Sequence, residues 1–326
     1  MKVIVPAAGI GTRLRPLTHT RPKALLYVAG RPIISHILDD VKELDISSIV
    51  VIVGYKGDLV REYVSKQYPD IKIDYVLQEE RKGIGHAVHL TRDVANGDES
   101  VLIILGDTII RTDLKSVTES DINVLGVKEV DDPRRFGVVE HNKGLVTKLV
   151  EKPENPKSNL AIVGLYYFKE AKALFGTLQK QIDDGITSHG EYQITDTMQM
   201  MIDGGAPFKT FEIEQWFDCG KPETLLETNR ELLGGTKQPP AVDGSMIVGP
   251  VSIDPTAVIT NSIIGPYVSI AGRCRVTNSI ISDSVLDEGA SVTGCMLESS
   301  IVGLDAVVKG GAKQLNIGDS SEVVFK

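Results

Sequence analysis

Val3-Ile4-Val5-Pro6-Ala7-Ala8-Gly9-Ile10-Gly11-Thr12-Arg13-Leu14-Arg15-Pro16-Leu17 is an apolar run that breaks at a proline into a glycine-rich, cationic turn. Residues 3–5 read as a buried strand. The glycines after it let backbone N–H groups approach a phosphate chain without side-chain obstruction, and Arg13 and, further on, Lys23 add positive charge. Taken alone, a Gly-x-Gly turn after a strand also fits a tight structural turn or the start of a dinucleotide-binding fold. The dinucleotide pattern fails because Leu14 stands at its third glycine position, and Pro16 and Pro22 precede any helix. A Walker-type phosphate loop fails because Gly-Lys-Ser/Thr is absent.

Outward from this stretch, short aliphatic strands alternate with amphipathic helices. Strands read at 49–53, 71–77 and 101–105, with helical spacing at Ile33, Ile34, Ile37, Leu38, Val41 and Leu44, then at Leu59, Val60, Tyr63 and Val64. This alternation predicts an α/β fold, a mostly parallel sheet covered by helices on both faces, with ligands at the carboxyl ends of its strands. From 122 to 211 the pattern is richer in strand, at 137–140, 145–150 and 162–168, with helical stretches at 169–181 and 194–203 and a closing helix at 222–233. Residues 234–240 then have the composition of a linker.

Beyond the linker, aliphatic residues recur at Ile247, Ile253, Ile259, Ile264, Ile270, Val276 and Ile281, in steps of six with an occasional five. Asn-Ser-Ile-Ile appears at both 261–264 and 278–281. Hexapeptide spacing predicts a parallel β-helix, whereas an antiparallel sandwich would show period-two alternation and hairpin dipeptides. The expected organisation is a domain over 1–235 and a β-helix over 241–326.

Composition narrows the function. At 326 residues the chain exceeds one ordinary hydrophobic core, and 42% hydrophobic with 24% charged residues is the balance of a folded protein. A net charge of −9 spread over both halves argues against a nucleic-acid or anionic-membrane surface. Cys219, Cys274 and Cys295 are widely spaced with no Cys-x-x-Cys pair, which suits free thiols in a reducing cytosol. Aliphatic runs such as 49–53 are too short to span a bilayer, and the expected location is cytoplasmic.

Gly9-x-Gly11-Thr12-Arg13-Leu14-x-Pro16-Leu17-Thr18, with Pro22-Lys23-x-Leu25 and Gly30-Arg31-Pro32-Ile33, resembles the signature of the sugar nucleotidylyltransferases, nearest to glucose-1-phosphate thymidylyl- and uridylyltransferases. The resemblance continues through Gln78 with Gly83-x-Gly85-x-Ala87, Gly106-Asp107, Arg135-Phe136-Gly137-Val138-Val139, Glu151-Lys152-Pro153, Gly164-Leu165-Tyr166, Gly190-Glu191 with Thr195-Asp196, and Trp216-x-Asp218-x-Gly220. It covers residues 1 to about 230. It implies a Rossmann-like nucleotidyltransferase sheet, with a left-handed β-helix following in the long form of the family.

The resemblance also implies roles for single residues. Ala8, Gly9, Gly11, Thr12 and Arg13 hold the triphosphate, and Lys23 neutralises charge as pyrophosphate leaves. Asp107, at the carboxyl edge of the strand at 101–105, and Asp218, brought in by a turn at 216–220, hold Mg²⁺, which takes few protein oxygens and prefers bridging phosphates. Gln78 and the backbone around Gly83 read the base, since a carboxamide offers both a donor and an acceptor. Glu151 accepts sugar hydroxyls, Lys152 grips the sugar phosphate, and Gly137 and Gly164 let the backbone approach the sugar.

The sequence departs from the family at Ala8, where Gly is frequent, at Thr108, where Asn is frequent, and at His189, where Arg is frequent; the last removes a fixed cation near the expected sugar phosphate. The implied reaction is nucleotidyl transfer from dTTP or UTP to glucose 1-phosphate. Two alternatives have sequence marks. A catalytically silent regulatory subunit would lack Lys23, Asp107, Lys152 or Asp218, and all four are present. A second, acyltransferase activity in the β-helix would use a histidine base, and all six histidines precede residue 241. The β-helix is therefore expected to assemble identical subunits.

Overall fold

The computed structural model describes residues 1–95, 97, 99–234 and 240–310. Most of the expected linker, residues 235–239, lies outside them. The chain divides into two compact units, Met1–Thr228 and a second that begins at Asn229.

The first unit is built on a nine-stranded sheet. Its strands are β1 (Lys2–Pro6), β2 (Ser48–Val53), β3 (Ile73–Leu77), β4 (Val101–Ile104), β6 (Asn123–Glu129), β7 (Gly137–Asn142), β8 (Leu145–Glu151), β9 (Leu160–Phe168) and β10 (Phe208–Glu212). β5 (Thr108–Arg111) and β11 (Gln215–Asp218) form a separate two-stranded ribbon. The order is β3-β2-β1-β4-β9-β6-β10-β8-β7. β1 to β4 are mutually parallel, as are β6 and β10, while β8 and β9 run against the rest. This is the α/β sheet expected from the alternating pattern, with the Rossmann-like arrangement that the family resemblance implies.

Alternation along β1 shows why the sheet is covered twice. Ile4 enters one core with Val50, Ile52, Val101 and Ile103, and Val3 and Val5 enter the opposite core with Ile49, Val51, Val53 and Leu102. Successive side chains point to opposite faces, and a strand as uniformly aliphatic as β2 is stable only with both faces buried. On the second face lie α1 (Ile33–Val41) and α2 (Gly57–Gln67), through Ile34, Ile37, Leu38, Val60 and Val64. On the first lie α3 (Ile84–His89), α6 (Ala171–Asp183) and α7 (Ile194–Asp203), through Val88, Leu174, Phe175, Leu178 and Met198. α4 (Arg92–Ala95) and α5 (Leu114–Thr118) fill connections, and α8 (Pro222–Leu233) carries the boundary between the units.

The structure differs from the sequence reading at several short elements, α3, α4, α5 and β5 among them, and at Asp218. α3 was not expected, because its six residues hold too few apolar positions to show a period. Asp218 sits on a strand and not in a turn, since Gln215–Asp218 pairs with Thr108–Arg111.

In the second unit three four-stranded parallel sheets form the faces of a prism, the arrangement of a left-handed parallel β-helix. Met246, Ile263, Ile280 and Met296 stack in register along one face. The repeated Asn-Ser-Ile-Ile has a local cause. Asn261 and Asn278 turn corners at φ 48° and 50°, a left-handed conformation that asparagine tolerates. Each following serine then bonds to the preceding coil: Ser262 N–H donates to Ser245 Oγ, and Ser279 N–H donates to Ser262 Oγ. Inside, Ile264, Ile270, Val276 and Ile281 are fully buried, while Ile247 and Ile253 on the first coil are half-buried. The last residues of α8 belong to this unit and bond within it. Asn229 Nδ2 donates to Tyr267 O and Ser269 Oγ donates to Asn229 Oδ1, and Arg230 holds Asp283 with two bonds of 2.5 Å.

Candidate active site

A cleft of about 600 Å³ opens at the carboxyl ends of β1 and β4. The glycine-rich loop after β1 is pinned there from both sides. A Cβ at Gly106 would lie 2.6 Å from Pro6 O, and one at Gly54 would lie 2.8 Å from Ala8 Cβ, so the ends of β2 and β4 press against the loop where only glycine fits. Ala8, Gly9 and Arg13 line the cleft; Gly11 and Thr12 do not. Gly11 instead takes φ 69°, and its would-be Cβ is 3.1 Å from Lys23 Cβ. It clears the path by which the lysine stem reaches the cleft.

The centre of the cleft is charged. Lys23, only 8% exposed, places Nζ 2.8 Å from Asp107 Oδ2. The β5–β11 register sets Asp218 opposite Thr108, next to Asp107, and Cys219 N–H donates to Asp107 O at 3.2 Å. The buried Cys219 thiol is pushed up to about 12, chiefly by burial; Lys23 opposes this and Asp107 and Asp218 add to it, which marks all three charges as neighbours. Among the described residues no three His, Cys, Asp or Glu side chains converge as a closed metal cage. Two carboxylates lining the same cleft, Asp218 and the 47% exposed Asp107, are instead a donor set that suits a hard divalent cation shared with phosphate oxygens.

At one end, Gln78 follows β3, is buried, and donates from Nε2 to Gly83 O at 3.3 Å, which leaves its Oε1 as the unused acceptor of the pair. At the other end, Glu151 closes β8 opposite Gly137. Thr195 Oγ1 donates to Glu151 Oε2 at 2.7 Å, and Lys152 Nζ lies 3.1 Å from Oε1. A Cβ at Gly137 would meet Thr195 Oγ1 at 3.1 Å and Glu151 Oε2 at 3.2 Å, so glycine there makes room for that bond. Lys152 has φ 43°, uncommon for a non-glycine residue, and its N–H donates to Phe136 O. Gly164, at φ 82°, also lines the cleft. His189 stands outside the wall, with Nε2 3.4 Å from Glu151 O.

The structure thus gathers Arg13, Lys23, Asp107, Lys152, Asp218, Ala8, Gly9, Gln78, Gly83, Gly137, Glu151 and Gly164 into one wall. It adds Arg81, Arg134, Arg135, Tyr166, Glu191, Thr195 and Trp216, to which the sequence reading gave no role. Tyr166 is buried between the two ends; burial first, then Glu151 and Asp107, raises its hydroxyl pKa, so it stays a donor. Phe136 packs edge-on against Trp216 with ring centroids 5.1 Å apart, and the Arg135 guanidinium lies 5.9 Å from the Phe136 ring centre. Their signal was the Arg135-Phe136-Gly137 and Trp216-x-Asp218 motifs, quoted above for their glycine and aspartate.

Comparison with known proteins agrees with this geometry. A family model described as nucleotidyl transferase matches residues 2–234. A glucose-1-phosphate thymidylyltransferase from Streptomyces griseus is 31% identical over 98% of both chains. A UTP–glucose-1-phosphate uridylyltransferase from Haloferax volcanii is 35% identical over 73% of this chain and 99% of its own. Among solved structures, a Bacillus anthracis protein assigned as a glucose-1-phosphate thymidylyltransferase, crystallised with sucrose, superposes with a TM-score of 0.62 at 30% identity over 71% of this chain and 95% of its own.

Proposed function

We propose, from the premise that the chain belongs to the nucleotidyl transferase family, that it joins a nucleoside triphosphate to a sugar 1-phosphate, with dTTP or UTP and glucose 1-phosphate as its substrates. One observation carries this most. In a chain of net charge −9, the cleft wall is cationic on balance, with Arg13, Lys23, Arg81, Arg134, Arg135 and Lys152 against the four carboxylates of Asp107, Glu151, Glu191 and Asp218. Such a field selects a polyanion bound with a divalent cation.

In the reaction, a phosphate oxygen of the sugar 1-phosphate attacks the α-phosphorus in line with the departing pyrophosphate; one P–O bond forms as another breaks. The nucleophile is already an anion, so no covalent enzyme intermediate is needed, and the protein contributes orientation and charge neutralisation. Arg13 and the Ala8–Gly9 backbone hold the triphosphate, and Lys23 offsets the charge that builds on pyrophosphate. Gln78 Oε1 accepts the N3–H of uracil or thymine, with the Gly83 backbone beside it. Lys152 holds the sugar phosphate, and Glu151, fixed by Thr195, accepts sugar hydroxyls. Asp107 and Asp218 would hold Mg²⁺, which supplies Lewis-acid polarisation and charge neutralisation.

The catalytic work is assigned to residues 1–235 and assembly of identical subunits to residues 241–326. The assembly surface is the Met246, Ile263, Ile280, Met296 column: four uncharged, exposed side chains in register, Met296 being 78% exposed. Copies of an acidic chain approach with least repulsion along an uncharged apolar stripe. No helix of the described residues is long and apolar enough to cross a membrane, and the free thiols Cys219, Cys274 and Cys295 suit a cytoplasmic setting. The test is pyrophosphate release from a grid of five triphosphates and several hexose 1-phosphates. The expected maximum is dTTP or UTP with glucose 1-phosphate; a maximum with ATP or GTP refutes the substrate assignment.

A further inference from the structure

Tyr192 ties the base end of the cleft to its sugar end by backbone bonds. Its N–H donates to Lys82 O at 2.7 Å, and its carbonyl accepts the Gly85 N–H at 2.8 Å. Two glycines make this approach possible. A Cβ at Gly83 would lie 2.5 Å from Tyr192 O, and one at Gly85 would lie 2.9 Å from the same atom. Neither distance is tolerable against a backbone oxygen, so both positions are bare for the sake of one carbonyl.

From that junction two short arms reach the two substrate ends. Gly83 O accepts the Gln78 Nε2 bond at the base end. Three residues after Tyr192, Thr195 Oγ1 holds Glu151 Oε2 at the sugar end. The 191–197 segment is also backed from behind. Gln193 Nε2 donates to Glu191 Oε2, Gln181 Nε2 donates to Gln193 O, and Thr197 Oγ1 donates to Gln181 Oε1 at 2.6 Å. A backed segment passes a displacement along instead of absorbing it, because packed interiors leave little free volume.

We propose that Gly85 and the Tyr192 backbone are positioning residues that couple the two ends, so that a nucleotide held at Gln78 and Gly83 sets the Glu151 carboxylate for the sugar phosphate. The two ligands are named on the basis of the reaction proposed above. Gly85 itself does not line the cleft. It lies in the first turn of α3 with an ordinary helical backbone, where alanine is otherwise favourable. Gly85→Ala is therefore a wedge at the Tyr192 junction, touching neither ligand.

The experiment is titration calorimetry of the full chain with glucose 1-phosphate, with and without a saturating, non-transferable α,β-methylene analogue of dTTP. In the wild-type protein the analogue tightens glucose 1-phosphate binding by about fivefold or more. In Gly85→Ala that factor falls towards one, and KM for glucose 1-phosphate rises while kcat stays within about twofold. Gly176→Ala, a helix glycine with open space around it, keeps the full factor. Gln181→Met, which removes two of the three backing bonds, those to Gln193 O and from Thr197 Oγ1, and leaves the junction unwedged, lowers the factor too and covers the case of a Gly85→Ala protein that does not fold. An unchanged factor in both variants, or no coupling in the wild type, overturns the inference. Failure of the wild type to bind either ligand overturns the proposed reaction and this coupling together.

Discussion

Replacing Lys23 with methionine separates the electrostatic part of the site from its packing. Methionine keeps the volume of the stem that passes Gly11, so the surrounding contacts survive. In the resting protein the lost attraction, Nζ to Asp107 Oδ2 at 2.8 Å, is nominally about 6 kcal/mol at an effective dielectric near 20. The Asp107 side chain is 47% exposed, however. Water replaces the ammonium as its partner, and the net cost to folding shrinks to about 1 kcal/mol. For a unit of this size that is a fall of about 2–4 °C in Tm.

Catalysis is affected far more, because bound phosphates displace that water and leave the developing pyrophosphate charge without its cation. Loss of one fixed charge-stabilising donor costs about 3–4 kcal/mol in the transition state, or roughly 10²–10³ in kcat. The assay is steady-state pyrophosphate release at saturating substrates, paired with a thermal melt. A kcat within about threefold of wild type refutes the role given to Lys23. A Tm fall beyond about 8 °C refutes the claim that the cost is electrostatic and local.

Asp107→Asn and Asp218→Asn each remove a charged oxygen with little change in volume; either should abolish most activity and leave the fold intact, and near wild-type rates at low Mg²⁺ would show the metal assignment to be wrong. In the second unit, burial raises the Asp283 carboxyl, but hydrogen bonds from Arg230 and Ser299 and the arginine charge outweigh it and hold the group below its usual range. The folded pKa is thus below the unfolded one. The pair's contribution is fully present above about pH 4 and lost as pH falls through the folded value. Urea titration of wild type and Asp283→Asn should show a gap at pH 7 that closes towards pH 2; a gap independent of pH counts against the pairing. Met296→Glu places a charge at the most exposed position of the apolar column and should lower the assembly mass in light scattering; an unchanged mass removes that face as the interface.

Features that depend on local pattern are legible along the chain. Val3-Ile4-Val5 and the residues at 49–53 read as buried strands because an uninterrupted aliphatic run is stable only with both faces covered. Helix α7 was legible at both ends, and the β-helix showed in the spacing of Ile259, Ile264, Ile270 and Val276, because each coil solves the same packing problem with the same residues. The motif residues were likewise legible as a set, though only through resemblance to a family. Without it, Glu151-Lys152 before a proline is an ordinary charged pair.

Which of these residues meet follows from strand register and long-range packing. Asp107 and Asp218 stand far apart in the chain and become neighbours through one register, Asp218 opposite Thr108. Gly11 and Thr12 belong to the same motif as Arg13, yet they turn away from the cleft it lines. Gly83 and Gly85 are explained by the carbonyl of Tyr192, over a hundred residues later. The physical reason is common to all three. Local pattern records which face of an element is apolar, because that is repeated at every turn or pleat. A close approach between distant backbones is made once, at one atom, and leaves nothing in the sequence but a missing side chain.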